Sequence, residues 1–254
     1  MIRRHPIRFL VSIHALLCSS APAALWTDGH GDFTLRYDSS PLGAFSYQWV
    51  VGTGGDPASV DGGEFYDATY SSTGLTPVVN ATRVTSPNPA LTGAALLHLV
   101  PQDGADAALL GSPFLGWTTG IIPGGLFIGN QVRLQLTSVD GPGAVSLWSD
   151  NGFGGTTFFW ASANGIHTSD SLPLFIGGHS HFNLGFTLPG DYVLQVMAQG
   201  TLLAGASIAS PLTLQYRVIP EASSSVLILG SATLLSFWLR RRNFCSPAAA
   251  IRSL

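Results

Sequence analysis

Two short segments of this sequence pair histidine and carboxylate side chains at a spacing suited to binding an ion. His179 and His181 are separated by one residue, and so are His30 and Asp32. In a β-strand, residues two apart point to the same face with Cα atoms about 7 Å apart, so each pair can contact one ion. Neutral imidazole is a strong ligand for zinc and other divalent metals, but two ligands alone make a weak site. We therefore expect a metal site formed by His30, His179 and His181, with Asp32 as a ligand or as a partner of a ligand.

A second interpretation of the same segments involves no metal. His179 follows two glycines, so it could begin an exposed strand in which each imidazole bonds to backbone or water. The segment around His30 could be a turn in which Asp32 accepts backbone N–H groups. His98 and His167 are reserve candidates for a further ligand.

Other chemistry has little support in the sequence. No G-x-S-x-G or similar nucleophile motif occurs, and the central region has no cysteine, so we expect no enzyme activity. The carboxylate pairs Asp103/Asp106 and Asp61/Glu64 have the residue types of a glycoside hydrolase, but they lie in glycine-rich segments typical of solvated loops. Trp117, Trp148 and Trp160 could stack on sugars, although large aromatic residues more often fill a core. A carbohydrate-binding module or an enzyme acting on exopolysaccharide is the alternative function.

The elements that must position these residues are strands. Alternation of apolar and polar residues and clusters of β-formers predict nine strands, separated by turns rich in Gly, Pro and Asp. The predicted strands are Phe33–Tyr37, Phe45–Trp49, Ala95–Val100, Val132–Leu136, Ala144–Trp148, Thr157–Trp160, Phe182–Thr187, Tyr192–Ala198 and Leu212–Val218. Ser71–Pro89 is rich in Ser, Thr, Asn and Pro and is predicted to be a long loop. We expect an all-β fold, an antiparallel β-sandwich of the immunoglobulin-like or jelly-roll-like type.

Charge is distributed unevenly along the chain. Charged residues make up 10% of the sequence, there is no lysine, and most arginines lie near the two ends. Residues 24–219 contain four arginines against thirteen carboxylates, a net charge of −9. Such a surface repels phosphate backbones and attracts cations, so nucleic acid is not an expected partner.

Both ends of the chain have the pattern of targeting segments. Residues 1–23 combine a basic start, a short apolar run and Ala21-Pro22-Ala23, which predicts a cleavable signal peptide. Residues 222–239 form an apolar stretch of about 18 residues, enough for a transmembrane helix. Arg240, Arg241 and Arg242 follow it and should stay on the cytoplasmic side, with the tail 243–254. The predicted all-β surface domain is 24–217, exported from the cytoplasm.

The C-terminal order resembles the PEP-CTERM sorting signal over residues 218–242. Its parts here are Pro220-Glu221, the apolar stretch and the arginine triplet, with Ala222 where the signal usually has a second proline. The resemblance implies processing by an exosortase-type enzyme in a bacterium with an outer membrane and exopolysaccharide. It implies a protein first tethered to the inner membrane and then placed at the cell surface or in the extracellular matrix.

A second resemblance covers most of the central domain. The chain is similar to the choice-of-anchor M, or surface-anchored protein, domain in a series of short motifs. They are Trp26-x-x-Gly29-His30-Gly31-Asp32, Val100-Pro101-Gln102, Gly116-Trp117, Gly141-Pro142-Gly143, His179-Ser180-His181-Phe182-Asn183 and Phe186-Thr187-x-Pro189-Gly190-x-Tyr192. Some members resemble proteins of zinc- or manganese-type uptake systems, so the resemblance implies one of these metals. The function expected is that of a non-catalytic surface protein that captures a divalent ion.

Overall fold

The computed structural model of the protein describes residues 22–40 and 43–221, which form mostly β-strands. In chain order the strands are β1 (Ala24–Asp28), β2 (His30–Asp38), β3 (Ala44–Val51), β4 (Ala58–Val60), β5 (Gly63–Phe65), β6 (Ala68–Ser71), β7 (Leu75–Val79), β8 (Arg83–Thr85), β9 (Leu96–Val100), β10 (Phe114–Thr118), β11 (Gln131–Asp140), β12 (Val145–Asp150), β13 (Thr156–Ala161), β14 (Ser171–Phe175), β15 (His179–His181), β16 (Asn183–Phe186), β17 (Gly190–Thr201) and β18 (Ser207–Val218). The prediction of an all-β fold is confirmed, and each of the nine predicted strands overlaps an observed one.

Helices are short in the described residues. They are α1 (Pro89–Thr92), α2 (Gly104–Leu110) and single 3-10 turns at Thr53–Gly55, Ile128–Asn130 and Ser162–Asn164. Asn88 and Asp103 cap the starts of α1 and α2, each accepting two backbone N–H groups through its side chain. No helix within 22–40 and 43–221 has the length and apolar character needed to cross a membrane.

The strands form three sheets. The largest has eight strands in the order β14-β11-β17-β18-β7-β1-β4-β5. A second sheet has the order β15-β10-β2-β3-β6, and a third has the order β13-β12-β16-β9-β8. The first and second sheets meet at β3 and β18, where the Phe45 N–H donates to Ser210 Oγ at 2.8 Å and Trp49 contacts Tyr216 edge-on.

The prediction that all strands pair antiparallel is wrong. Three pairs are parallel: β1 with β7, β2 with β10, and β7 with β18. Residue alternation reports which face a side chain takes but not the direction of the neighbouring strand, so the sequence pattern could not reveal these pairs. The parallel pairing of β2 with β10 matters most, because it aligns the start of β2 with the start of β10.

The prediction of a loop over Ser71–Pro89 is also wrong, because β7 and β8 lie within it. β7 is buried along its whole length although Pro77 stands at its centre. Its first half pairs with β1 and its second half with β18. Pro77 has no N–H to donate, and it lies where the pairing with β1 ends and the pairing with β18 begins. The surrounding Ser, Thr and Asn residues concealed a strand in the middle of the largest sheet.

Alternation along β2 separates a core face from a polar one. Phe33 and Leu35 are fully buried in the main hydrophobic core, together with Trp49 of β3 and Trp117 of β10. His30 and Asp32 occupy the intervening positions and therefore face the other side of the second sheet. Burying those apolar side chains fixes the register of β2, and the register in turn fixes where the histidine and the carboxylate stand.

The targeting predictions fall mostly beyond the part of the chain that the structure describes. The signal peptide 1–23 lies outside it except for Pro22 and Ala23, as do the segment 222–239, the arginine triplet and the tail 243–254. The last strand ends at Val218, where the predicted sorting segment begins.

Candidate metal centre

The second sheet brings the two predicted segments together across one intervening strand. β10 pairs with β2 on one side and with β15 on the other. In this register Gly116 lies between Asp32 and His181, while Phe114 is paired with His30 and Thr118 with His179. Two strand spacings amount to about 10 Å, so the side chains of β2 and β15 must reach over β10 to meet.

Gly116 makes that meeting possible. A Cβ at this position would overlap Asp32 Oδ1 and His179 Nε2, so the absence of a side chain on β10 opens the space into which both groups extend. The opposing atoms belong to side chains and not to backbone. The glycine therefore serves the cluster and not the packing of the strands themselves.

Three imidazoles converge over this position. His30, His179 and His181 each offer a ring nitrogen, and these atoms all lie within 4.8 Å of one another. Two nitrogens bound to the same tetrahedral zinc at 2.0–2.1 Å are about 3.4 Å apart, so small rotations of the rings bring the three atoms to bonding distance. The predicted group of histidines is thus assembled by the fold.

The rings are oriented through their second nitrogens. His181 Nδ1 lies 2.9 Å from the carbonyl oxygen of Leu115, and His30 Nδ1 lies 3.2 Å from that of Thr53. The carbonyl oxygen of Leu115 only accepts, so His181 Nδ1 carries the proton and His181 Nε2 keeps a free lone pair. His30 Nδ1 also lies 3.0 Å from the Thr53 hydroxyl, which can either donate to this nitrogen or accept from it. A hydrogen bond of this kind behind a ligating histidine is the usual way in which proteins fix a metal ligand.

Asp32 completes the cluster with a carboxylate. Its Oδ1 lies 2.8 Å from His179 Nε2 and 3.7 Å from His30 Nε2. Neither Asp32 Oδ1 nor His30 Nε2 has a hydrogen-bond partner among the described residues, although both atoms are buried. The short contact with His179 therefore lacks the alignment of a hydrogen bond. Two neighbouring buried atoms, each able to bind a metal ion, are left without a partner.

Burial keeps the imidazole of His181 in the neutral form that can bind metal. Desolvation and the neighbouring His179 and His30 lower the pKa of His181 to about 4. Phe114 covers this ring, stacked at a centroid distance of 3.9 Å with the planes 6° apart. His181 is therefore neutral near pH 7, as a ligand must be.

The interpretation of the first segment as a turn is wrong, because His30 and Asp32 both belong to β2. The reserve candidates lie elsewhere: His98 is buried in β9 of the third sheet, and His167 is exposed before β14. Sequence reasoning did not assign Gly116, Phe114 or Thr53 to the site. A glycine between Leu115 and Trp117, in a segment of β-forming residues, was the available signal for the first of them.

The other sequence candidates have structural roles. Trp117, Trp148 and Trp160 are each at most 2% exposed, which confirms the core interpretation of these residues. Asp103 caps α2, and Asp61 accepts the N–H of Leu25. The three tryptophans therefore form no exposed platform in the described part of the chain.

The described part of the sorting motif rests on the domain surface. Ile219 N–H donates to Val79 O at 3.0 Å, and Arg83 Nε donates to Glu221 Oε1 at 2.8 Å. Both partners of the ion pair are exposed, so it adds at most about 1 kcal/mol to stability. Pro220 lies between these two contacts, whereas Arg240, Arg241 and Arg242 lie beyond the described residues.

The fold and the site define an all-β domain with a cluster of three histidines and one carboxylate on its second sheet. In comparisons with known proteins, no family model, no curated protein and no solved structure matches the chain. The argument for function therefore rests on the geometry of this cluster.

Proposed function

We propose that this chain is an exported, surface-tethered and non-catalytic β-sandwich protein that binds a divalent metal ion through His30, Asp32, His179 and His181. The observation that carries the proposal is a pair of buried atoms that can bind metal and have no hydrogen bond, His30 Nε2 and Asp32 Oδ1. Both lie beside His179 Nε2. Leaving such atoms unpaired costs about 1–3 kcal/mol each, and a bound cation removes that cost. The surplus of carboxylates in the domain adds a field that attracts cations.

The donor set favours zinc over manganese. Three imidazole nitrogens and one carboxylate oxygen suit a tetrahedral zinc, whereas manganese prefers oxygen ligands and higher coordination. The ligand atoms of the three histidines lie within 4.8 Å of one another, and Asp32 Oδ1 lies close to two of them, so we propose that Asp32 supplies the fourth ligand of a closed tetrahedral site.

The same count supports a role without catalysis. A catalytic zinc holds three protein ligands and leaves the fourth position to water, whereas four protein ligands occupy the coordination sphere. Asp32 is too close to His179 to act as a separate base while both bind the ion. We propose capture or retention of the metal and not chemistry upon it.

Metal uptake tests the proposal directly. The purified protein is stripped with a chelator, dialysed, exposed to zinc or manganese and examined by elemental analysis and titration calorimetry. We expect one zinc per chain, much weaker manganese binding, and loss of zinc in a His30→Ala/His181→Ala double variant. His167→Ala removes an exposed histidine outside the cluster and should bind as the wild type does. A wild-type protein that takes up neither metal refutes the proposal.

The export half of the proposal rests on the two ends of the sequence. The basic, apolar and small-residue order of residues 1–23 supports secretion, and Pro220-Glu221 with the arginine triplet supports sorting by an exosortase-type partner. The apolar stretch 222–239 supports tethering to the inner membrane before delivery to the cell surface or matrix, where exopolysaccharide is a further proposed partner. Alkaline phosphatase, which is active only outside the cytoplasm, should be active in cells when it is inserted in the turn between β17 and β18. If instead a reporter that works only in the cytosol is active at this position and alkaline phosphatase is not, export is refuted.

A carbohydrate-binding role has less support. The three tryptophans that suggested it are buried and cannot stack on a sugar without unfolding the core. Retention of the protein on a polysaccharide resin, unaffected by metal, would favour this alternative.

A further inference from the structure

The four donors of the metal centre differ in how far they are shielded from solvent. The side chains of His30 and Asp32 are 15% and 10% exposed, whereas that of His179 is 43% exposed. The cluster therefore has a closed side on β2 and an open side at His179. His179 is the one exposed histidine of the three, so a ligand from solvent or from another protein reaches the cluster most readily at this residue.

The donors also differ in how firmly their rings are held. His30 and His181 each have Nδ1 fixed by a backbone carbonyl. Within residues 22–40 and 43–221, the ring of His179 makes no hydrogen bond, and its only polar contact is the misaligned one with Asp32. Rotation of this ring away from the site breaks its contacts with the rings of His30 and His181 but no hydrogen bond within the described residues.

The backbone that carries His179 stays in place during such a rotation. Gly178 O accepts from Thr119 N–H at 3.0 Å and from Thr118 Oγ1 at 3.2 Å, which pins the chain just before His179. β15 is nevertheless the edge strand of its sheet, so no further strand covers His179. Movement is thus confined to side-chain torsions, which change within nanoseconds for an exposed residue.

We infer that His179 is the exchangeable ligand of the metal centre, through which the ion enters, leaves or passes to an acceptor with imidazole or carboxylate donors. This inference rests on the proposed metal binding. In the exchange, the bond from His179 Nε2 to the metal breaks and one bond from the incoming donor forms. The metal keeps its charge and its three bonds to His30, His181 and Asp32. A site of this kind delivers its ion by ligand substitution and does not need the domain to unfold.

The rate of zinc release tests the inference. Zinc-loaded full-length protein is mixed with a fluorescent chelator in a stopped-flow instrument, and cobalt-substituted samples report the ligand set by their visible spectra. We expect His179→Ala to keep one metal per chain but to release it about tenfold or more faster than the wild type. Millimolar free imidazole should fill the vacated position, change the cobalt spectrum of His179→Ala and slow its release.

The buried ligands provide the contrast. His30→Ala, or His30→Gln if the alanine variant fails to fold, should lose stoichiometric binding and should not recover with imidazole, because its position is closed to solvent. His167→Ala serves as the matched control and should release zinc at the wild-type rate. Equal losses in the His30 and His179 variants, or no imidazole effect on His179→Ala, overturn the inference while leaving metal binding intact. A wild-type protein without bound metal overturns the proposed function and this inference together.

Discussion

Replacing Gly116 by alanine is the sharpest perturbation of the proposed metal centre, because it changes no proposed ligand. The added Cβ would overlap Asp32 Oδ1 and His179 Nε2, and each of these atoms must retreat by roughly 1 to 1.5 Å to reach an ordinary contact. Metal–ligand distances tolerate only about 0.2 Å, so two of the four donors are displaced beyond bonding range. We expect zinc affinity to fall by about 100-fold or more, which corresponds to about 2.7 kcal/mol.

The metal-free protein should tolerate the same change. The Cβ meets the ends of two side chains and not the backbone, and the φ angle of Gly116 is not in the left-handed region. Loss of glycine flexibility in the unfolded chain favours the variant, so its unfolding free energy without metal should stay within about 1 kcal/mol of wild type. Urea unfolding and titration calorimetry measure the two quantities separately.

Gly124→Ala is the matched control for this experiment. A Cβ there meets nothing closer than Asn130 Oδ1 at 3.9 Å, so both metal affinity and stability should be unchanged. If Gly116→Ala binds zinc as tightly as the wild type, then the space above β10 is not where the ion lies, and the ligand set argued from it is wrong.

Three further outcomes are expected. Zinc at 100 times its Kd should raise stability by about 2.7 kcal/mol, or Tm by roughly 5–10 °C, and the gain should vanish in a His179→Ala/His181→Ala double variant when melting is followed by fluorescence. The pKa of His181 is lowered to about 4 by burial and by its neighbours His179 and His30, with Asp32 acting in the opposite direction. The unfolded chain, with an ordinary pKa near 6.5, therefore binds more protons between about pH 6.5 and 4, so the metal-free protein should lose stability as pH falls through this window. Urea unfolding across that range should show a shallower pH dependence for His181→Gln, and an identical slope would contradict the assignment. Asp170 is a buried carboxylate that accepts two backbone N–H groups. Replacing it by alanine should lower the free energy of unfolding by about 2–4 kcal/mol, measured by urea unfolding, and calorimetry should find the zinc affinity unchanged.

The strands could be predicted from the sequence because alternation is a local property. Val132–Leu136 and Leu212–Val218 have apolar residues at every second position, and both lie within long strands of the largest sheet. β7 was missed for an equally local reason, since Pro77 argues against a central strand unless its neighbours change there. Local patterns thus identified elements but not their partners.

The candidate site could be predicted only as two halves. Spacing placed His179 with His181, and His30 with Asp32, on common faces, and the structure has both pairs in strands. The position of β10 between the two pairs, and the space that Gly116 leaves open, both depend on the parallel pairing of β10 with β2. These strands are about 85 residues apart, and no periodicity in the sequence encodes their pairing. The anchoring of His30 by Thr53 depends likewise on the turn after β3 and could not be foreseen.

The interposed strand β10 has a consequence for when the ion can be bound. One half of the cluster is made early in the chain and the other about 150 residues later, and only the completed second sheet joins them. An unfolded chain offers nothing better than an isolated pair of imidazoles, which competes poorly for zinc. A chain that crosses a membrane unfolded therefore carries no ion with it and is loaded from the compartment in which it folds. Under the proposed export and metal binding, the occupancy of the centre would record the metal supply on the outer side of that membrane.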